Sequence, residues 1–372
     1  MIYLIDTIGT ETGMHLYDQS FQQTIGDKGM SVTVLSNYKS KDDASVIRLF
    51  PNFYHGGKFV MGLLFAWSLL KMWLFYIGHH KEDDIYVYQS FGLRRIDQFF
   101  IRCLCDCPQL FVIVHDIFEI TGQTADARKA DKMQFYNHHI PHAICHSRVT
   151  EKELIKLGYK GKTCYFPHFS YAFSKEIDEK RVAPEIRDAV DTEKKIFLFF
   201  GQIRETKGIS ILQEAIDHLA VKHPDFADCA EIIIAGMDKG NLISQRDEPM
   251  FVKRFLRYID DSELNYLFSK RPFVLLPYTE ICQSGVLEVV IYFRSPAIMS
   301  DIPFFLSIRD EYPSFGQIFE PLSAEALANK LYEIASDDSV STDRYFTTED
   351  LLKYDQSHDP SSLVDFLQGA TT

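Results

Sequence analysis

A chain of 372 residues exceeds what one ordinary core organises, so two domains are expected. With 46% hydrophobic and 24% charged residues, it has material for two folded cores and lacks the makeup of a disordered chain. A formal net charge of −13 excludes nucleic acid as the main partner, since a phosphate backbone demands excess Lys and Arg, whereas a small phosphorylated molecule needs only a few local cations.

The seven cysteines include Cys103, Cys105 and Cys107 but no Cys-x-x-Cys pair, which reads as a reduced cytoplasmic chain and not as a disulfide framework or a zinc site. MIYLIDTIG has no basic leader, and its apolar run is too short for a signal peptide, so Ile2 to Ile5 is read as a first strand. The loop Asp6 to Gly13, a helix from Met14 to about Asp27 and a strand from Ser31 to Ser36 complete a β-α-β unit. That loop sits where open α/β sheets place ligands, yet it is not Gly-x-Gly-x-x-Gly, which argues against a dinucleotide cofactor.

Phe59 to Gly78 is long and apolar enough to cross a bilayer, interrupted only by Ser68 and Lys71. Lys71 near the midplane would cost roughly 2.5 to 3.5 kcal/mol or more. The α/β alternation resumes at once with strand Ile85 to Tyr88. The preferred reading is a core helix packed on most faces; the alternative is a helix whose surplus face, with Trp67, Trp73 and Tyr76, rests in a membrane interface.

Next come a helix from about Leu93 to Cys105, strand Leu110 to Val114 ending at His115-Asp116, a polar helix around Ala125 to His138, strand His142 to His146, helix Thr150 to Leu157 and strand Thr163 to Phe166. His138, His139, His142 and His146 suggest a metal cluster. Pro141 breaks any helix through them, however, and only His142 and His146 would share a strand face, so no metal site is expected. From Ser174 to Lys195 the chain turns charged and loses periodicity, which reads as a linker. The domains are therefore set at 1–178 and 185–344, with the polar tail 345–372 a candidate to pack back on the first.

The second half repeats the architecture: strand Ile196 to Phe200, helix Ile209 to Val221, strand Glu231 to Ala235, a strand near Phe251 to Leu256, a helix Asp261 to Lys270 opened by a cap at Asp261-Ser262-Glu263, strand Phe273 to Leu276, a helix to about Phe293, strand Ala297 to Ser300 and a helix Ala324 to Ala335. Two of its turns carry chemistry. After Phe200 comes GQIRETKG, with Arg204 and Lys207; after Leu276 comes PYTEICQSGVLE, with Glu280 and Glu288 around a Gln-Ser-Gly helix start. The first N–H groups of a helix lack internal partners and sit at its positive end, so the backbone of Ser284, Gly285 and Val286 forms an anion site. Two such turns with carboxylates nearby point to a nucleoside-diphosphate ligand with hydroxyls to grip. The bland alternatives are an exposed turn for Arg204 and Lys207, a helix cap for Glu280 and a core histidine for His115; Glu288, inside VLEVVIYF, requires a partner, ligand or cation.

Taken together, FGQIRETKG (Phe200 to Gly208), PYTEICQSGVLE (Pro277 to Glu288) and SDIPFF (Ser300 to Phe305) resemble, in order and spacing, the donor half of GT-B glycosyltransferases, above all the large retaining family four with its Glu-x7-Glu signature. The first half matches more loosely, through the loop up to Gly13, VIVHD (Val112 to Asp116) and CHS (Cys145 to Ser147). The sequence departs from the family at Gln202, where an Arg is usual, and at Arg294, where a Gly would end the helix, so Ser295-Pro296 is expected to stop it.

The resemblance implies an α/β protein of two Rossmann-like parallel-sheet domains facing a cleft. It implies transfer of a sugar from a nucleoside diphosphate to a glycan or lipid-linked acceptor, with retention and without a bound metal or other cofactor. Glu288 would hold the ribose, Glu280 the transferred sugar, Arg204 and Lys207 the diphosphate, and His115 would lie near the reacting sugar, with Gly13 and Asp116 in the acceptor or cleft loops. With the apolar helix 59–78, it also implies work in envelope polysaccharide synthesis at the inner face of the cell membrane. The rivals are a nucleotide-sugar oxidoreductase or epimerase, a non-catalytic nucleotide-sugar-binding subunit, and an integral membrane protein anchored by 59–78. The first would need a Gly-rich fingerprint after strand one, and the sequence has none there.

Overall fold

A computed structural model describes residues 1–9, 14–40, 44–53, 56–91, 95–104, 107–117, 133–170, 176–243 and 247–369. The chain divides into two compact units, Met1–Tyr171 with Ser357–Thr372, and Ala172–Gln356. Gly13, Cys105 and most of the helix expected at Ala125 to His138 lie outside the described residues.

The first unit runs β1 (Ile2–Ile5), α1 (Met14–Gly26), β2 (Val32–Ser36), β3 (Val46–Arg48), α2 (Lys58–His79), β4 (Ile85–Phe91), α3 (Arg95–Arg102), β5 (Leu110–Asp116), α4 (133–139), β6 (His142–Cys145), α5 (Arg148–Lys156) and β7 (Lys162–Tyr165). Its sheet is ordered β3-β2-β1-β4-β5-β6-β7, and every pairing is parallel. Strand order reverses beside β1, where β2 lies on one side and β4 on the other; such a switch point opens a crevice at the strands' carboxyl ends.

The second unit runs α6 (Pro184–Val190), β8 (Lys195–Phe200), α7 (Ile209–Lys222), α8 (Phe226–Cys229), β9 (Ala230–Ala235), β10 (Val252–Phe255), α9 (Asp261–Phe268), β11 (Phe273–Leu276), α10 (Gly285–Phe293), β12 (Ala297–Ser300), α11 (Pro303–Glu311), β13 (Gly316–Phe319), α12 (Ala324–Ser336) and α13 (Thr348–Ser357). Its sheet, again all parallel, is ordered β10-β9-β8-β11-β12-β13, so its switch point lies between β8 and β11. The stretch read as a linker contains α6, and Asn265 Nδ2 donates to the Glu176 carbonyl at 2.9 Å, tying the start of that stretch to the second unit.

Two helix ends differ from the sequence reading. The cap of α9 is Asp260, one residue earlier than expected, whose carboxylate accepts from Ser262 and Glu263 N–H in a full capping box. At the end of α10, Arg294 itself takes the left-handed conformation (φ 52°) that a Gly would have taken, and Ser295 N–H closes onto the Val290 carbonyl at 3.0 Å.

Helix α2 is not packed on most faces, contrary to the preferred reading. Only Ser68, Met72, Phe75 and Tyr76 are buried. Phe75 meets Tyr3 edge-on with ring centroids 5.3 Å apart, Tyr76 meets Tyr86 at 5.3 Å, and Phe65 meets Phe100 at 5.7 Å, so one side lies along the domain. At 3.6 residues per turn, Phe59, Leu63, Trp67, Leu70, Leu74 and Ile77 fall within about 80° on the opposite side. Phe59, Leu63, Trp67, Leu74 and Ile77 are 50% to 80% exposed. Trp73 is exposed too, but Tyr76 belongs to the buried side and not to the surplus face.

The last helix, α14 (Ser361–Gln368), contributes to the first unit's core: Leu363 and Leu367 are fully buried with Ile2, Phe111 and Phe169. Leu367→Ala should therefore cost about 2–5 kcal/mol of stability. Urea unfolding followed by circular dichroism checks this; an unchanged midpoint would show that α14 is dispensable to that core.

Candidate functional site

At the switch point of the second unit, the turns after β8 and β11 are joined backbone to backbone. A Cβ on Gly208, whose φ is +72°, would lie 1.8 Å from the Pro277 carbonyl oxygen, so only glycine admits this approach. Thr279 N–H donates to the Thr206 carbonyl at 3.0 Å, and Ser300 Oγ to the Tyr278 carbonyl at 2.6 Å. The end of β9 joins them, since a Cβ on Gly236 would strike the Gly201 carbonyl at 1.8 Å and Ile203 N–H donates to the Met237 carbonyl at 3.0 Å.

This stitching folds Lys207 back over the first turn. Its Nζ stands 3.0 Å from where a Cβ on Gly201 would be, with Val286 Cγ2 at 3.2 Å from the same point, and 5.7 Å from the Tyr278 ring centre. Lys207 and the start of α10 are thus immediate neighbours. Burial lowers the Lys207 ammonium to about 8, and the neighbouring Arg204 adds to the effect. Arg204 is exposed and donates to Gln202 Oε1, so these two side chains share one position at the turn's rim.

Ser284 is the N-cap of α10, its hydroxyl accepting from Leu287 N–H at 3.1 Å. Cap geometry leaves the N–H groups of Gly285 and Val286 without an intrahelical partner, at the positive end of the helix. Glu280 is exposed in the preceding turn, and since Ser284 caps the helix, the capping role considered for Glu280 does not apply.

Glu288 is buried on α10, and its partner is Tyr354 on α13, whose hydroxyl donates to Oε2 at 2.5 Å. Burial raises the carboxyl to about 8, the tyrosine bond opposing the rise. No sequence feature pointed to Tyr354, which sits in the polar tail far from either turn.

In the first unit, His115 ends β5 as a buried ring, stacked on Phe91 with centroids 4.5 Å apart and bonded through Nε2 to Gln89 Oε1 at 3.0 Å. Burial, with His146 and His168 nearby, holds its pKa well below the ordinary histidine range, so the ring is neutral. Asp116 follows it, half-buried, at the strand end. His146 is also buried, between Tyr17 Oη at 2.6 Å and the Phe166 carbonyl at 2.8 Å. Among the described residues, no three His, Cys, Asp or Glu are placed to hold a metal ion.

Two all-parallel Rossmann-like units in one chain, with these strand orders, define the GT-B fold. The likeness to solved structures spans nearly the whole chain. Sucrose-phosphate synthase from Thermosynechococcus elongatus is 16% identical with a TM-score of 0.66, covering 99% of this chain and 97% of its own. HepE of Anabaena in complex with UDP-glucose is 14% identical with a TM-score of 0.65, at 99% and 98% coverage. A glycosyltransferase from Rickettsia africae is 15% identical with a TM-score of 0.68, at 100% and 97% coverage. At these identities the fold is what is shared. No protein-family model and no curated protein sequence matches the chain.

The Glu288 carboxyl makes a pH prediction. Between its ordinary 4.5 and about 8, the folded protein holds a proton that the unfolded chain releases, so stability is lost as the pH rises across that window. Lys207 differs between the states only above about 8 and does not interfere. Glu288→Gln should therefore match wild type in melting temperature near pH 5 and exceed it near pH 8. Parallel curves across the range would refute the assignment.

Proposed function

We propose that the protein is a glycosyltransferase that moves a sugar from a nucleoside diphosphate to a glycan or lipid-linked acceptor with retention of configuration. The observation that carries this is the convergence of Lys207, the Gly285 and Val286 N–H groups and buried Glu288 at the switch point of the second unit. Breaking a sugar C–O–P bond places new negative charge on the departing diphosphate, so rate comes from donors already aimed at it. Lys207 and the start of α10 supply those donors, and Arg204 with Gln202 extends them at the rim. Glu288 accepts hydrogen bonds from the ribose hydroxyls, and Glu280 contacts the transferred sugar. His115 serves the transfer step as a neutral ring, while Asp116 and the loop through Gly13 serve the acceptor. The diphosphate grip is made from protein cations and backbone N–H groups, which leaves no step in this scheme that calls for a metal or other cofactor. The solved HepE and trehalose-6-phosphate structures that this fold resembles hold UDP-sugars, which supports a donor of the same class.

Lys207→Ala should weaken binding of nucleoside diphosphates by about 10²-fold, as removal of a charge-assisted bond from a half-buried site does. Isothermal titration with a panel of nucleoside diphosphates reads this, and the panel also identifies the base. Wild-type protein that binds none of them would sink the proposal.

We further place the enzyme against the inner face of the cell membrane, in envelope polysaccharide synthesis, through α2. The helix carries Lys58 and Lys71 and no acidic residue in a chain of net charge −13, and Lys71 lies 5.8 Å from the Trp67 ring centre. Exposed tryptophans beside a lysine suit the headgroup layer, and anionic lipid complements this cationic, apolar face. One side of α2 is held along its length by the first unit, a geometry for lying in the interface and not for spanning it. Wild-type protein should cosediment with phosphatidylglycerol vesicles, and Trp67→Glu with Trp73→Glu should abolish this without altering nucleotide binding. A concentration-dependent dimer that ignores vesicles would assign the same face to a second copy instead.

A further inference from the structure

Behind His115 lies a chain of buried polar groups that the donor grip does not use. Asp6, Asp18 and Gln89 are all essentially inaccessible, and the two carboxyl groups are close enough to shift each other's titration. Asp6 accepts from Ile8 N–H and Gly9 N–H, both at 2.8 Å, and from Ser36 Oγ at 3.3 Å. Asp18 accepts from Gln89 Nε2 at 2.6 Å and from Tyr38 Oη at 2.9 Å. Gln89 then turns its Oε1 to His115 Nε2.

Two buried carboxyls in contact cannot both ionise, so one holds a proton. Asp6, surrounded by three donors besides Asp18, is the better anion. Asp18 has the more strongly raised pKa of the two, from burial and then from the Asp6 charge. Asp18 is therefore the acid whose O–H donates to Asp6. With that direction set, the rest has no freedom. An amide facing the oxygens of Asp18 presents its N–H, so its carbonyl oxygen must face the ring. A ring nitrogen facing a carbonyl oxygen must carry the hydrogen.

We propose that the Asp6–Asp18 pair, acting through Gln89, fixes His115 in its Nε2–H tautomer and so makes Nδ1 the ring's acceptor in sugar transfer. The role of His115 rests on the function proposed above; the tautomer does not. Asp6, Asp18 and Gln89 are positioning residues, none of which touches the reacting atoms. The arrangement gives a neutral imidazole one defined function, accepting a hydroxyl hydrogen at Nδ1, where an untethered ring would exchange between two forms. It also ties the backbone at Ile8 and Gly9, in the loop after β1, to the same network.

The test uses the full chain labelled with ¹⁵N-histidine, its ring nitrogens read by long-range ¹H–¹⁵N correlation and His115 assigned by its loss in His115→Gln. The wild-type ring should show the Nε2–H pattern alone. Asp18→Asn should keep it, because the amide N–H replaces the acid O–H toward Asp6. Gln89→Met should yield a mixture of tautomers and lower kcat by about 10²-fold, with KM for the donor and nucleoside-diphosphate affinity unchanged. A wild-type Nδ1–H pattern overturns the proposal, and so does an unaltered pattern in Gln89→Met; if that variant does not fold, the wild-type and Asp18→Asn spectra decide. Should the predicted tautomers appear in a chain that neither binds nucleoside diphosphates nor transfers sugar, the positioning stands and the functional assignment falls.

Discussion

The Pro277 carbonyl occupies the space that a side chain on residue 208 would need, and Gly201 and Gly236 meet in the same way. Three strand ends are thereby drawn closer than any residue with a Cβ permits. Everything polar in the second unit's candidate site follows from that approach. Lys207 can lie over Gly201 only because the turn closes at Gly208, and α10 begins beside it because Pro277 is pinned. The lysine then loses water to its neighbours, which is why its ammonium is held less tightly protonated than usual.

A second constraint is the disposal of buried carboxyls. Glu288, Asp6 and Asp18 are all withdrawn from solvent, and among the described residues none of the three is bonded to a basic side chain. Each is managed by hydroxyl, amide or backbone donors together with a raised pKa. This differs from Glu263, where Arg257 donates to the carboxylate through both terminal guanidinium nitrogens, Nη1 and Nη2, at 2.6 Å and lowers its pKa. Kept neutral, as Glu288 and Asp18 are, a carboxyl can both donate and accept a hydrogen bond.

Much of this was legible in the sequence wherever the determinants are contiguous. Strands β8 and β11, the two glycine turns and the start of α10 lie within short segments whose residue types announce them, and the all-parallel α/β architecture follows from their alternation. Determinants spread over distant segments were not legible. Tyr354 reads as one tyrosine in a polar tail, and only folding sets it on Glu288. Asp18 is one polar position inside the helix expected from Met14, and Gln89 falls just past the expected strand Ile85 to Tyr88, so neither carries a signal of its own. Helix α2 failed for a different reason: when nearly every position is apolar, periodicity cannot say which side is covered. Arg294 shows that local preference can yield, since the fold imposes a left-handed residue where the sequence offers no glycine, at about 1–2 kcal/mol.

The return of the chain's end to the first unit bears on biogenesis. Leu363 and Leu367 complete a core begun by Ile2 and Leu4, yet they are translated after the whole second unit. At about 5–20 residues per second, the roughly 190 residues between Tyr171 and Leu363 take on the order of ten to forty seconds to emerge. During that interval the nascent first unit carries an uncovered apolar groove, together with the exposed face of α2. Until α14 docks, the nascent first unit is therefore stickier than the finished protein.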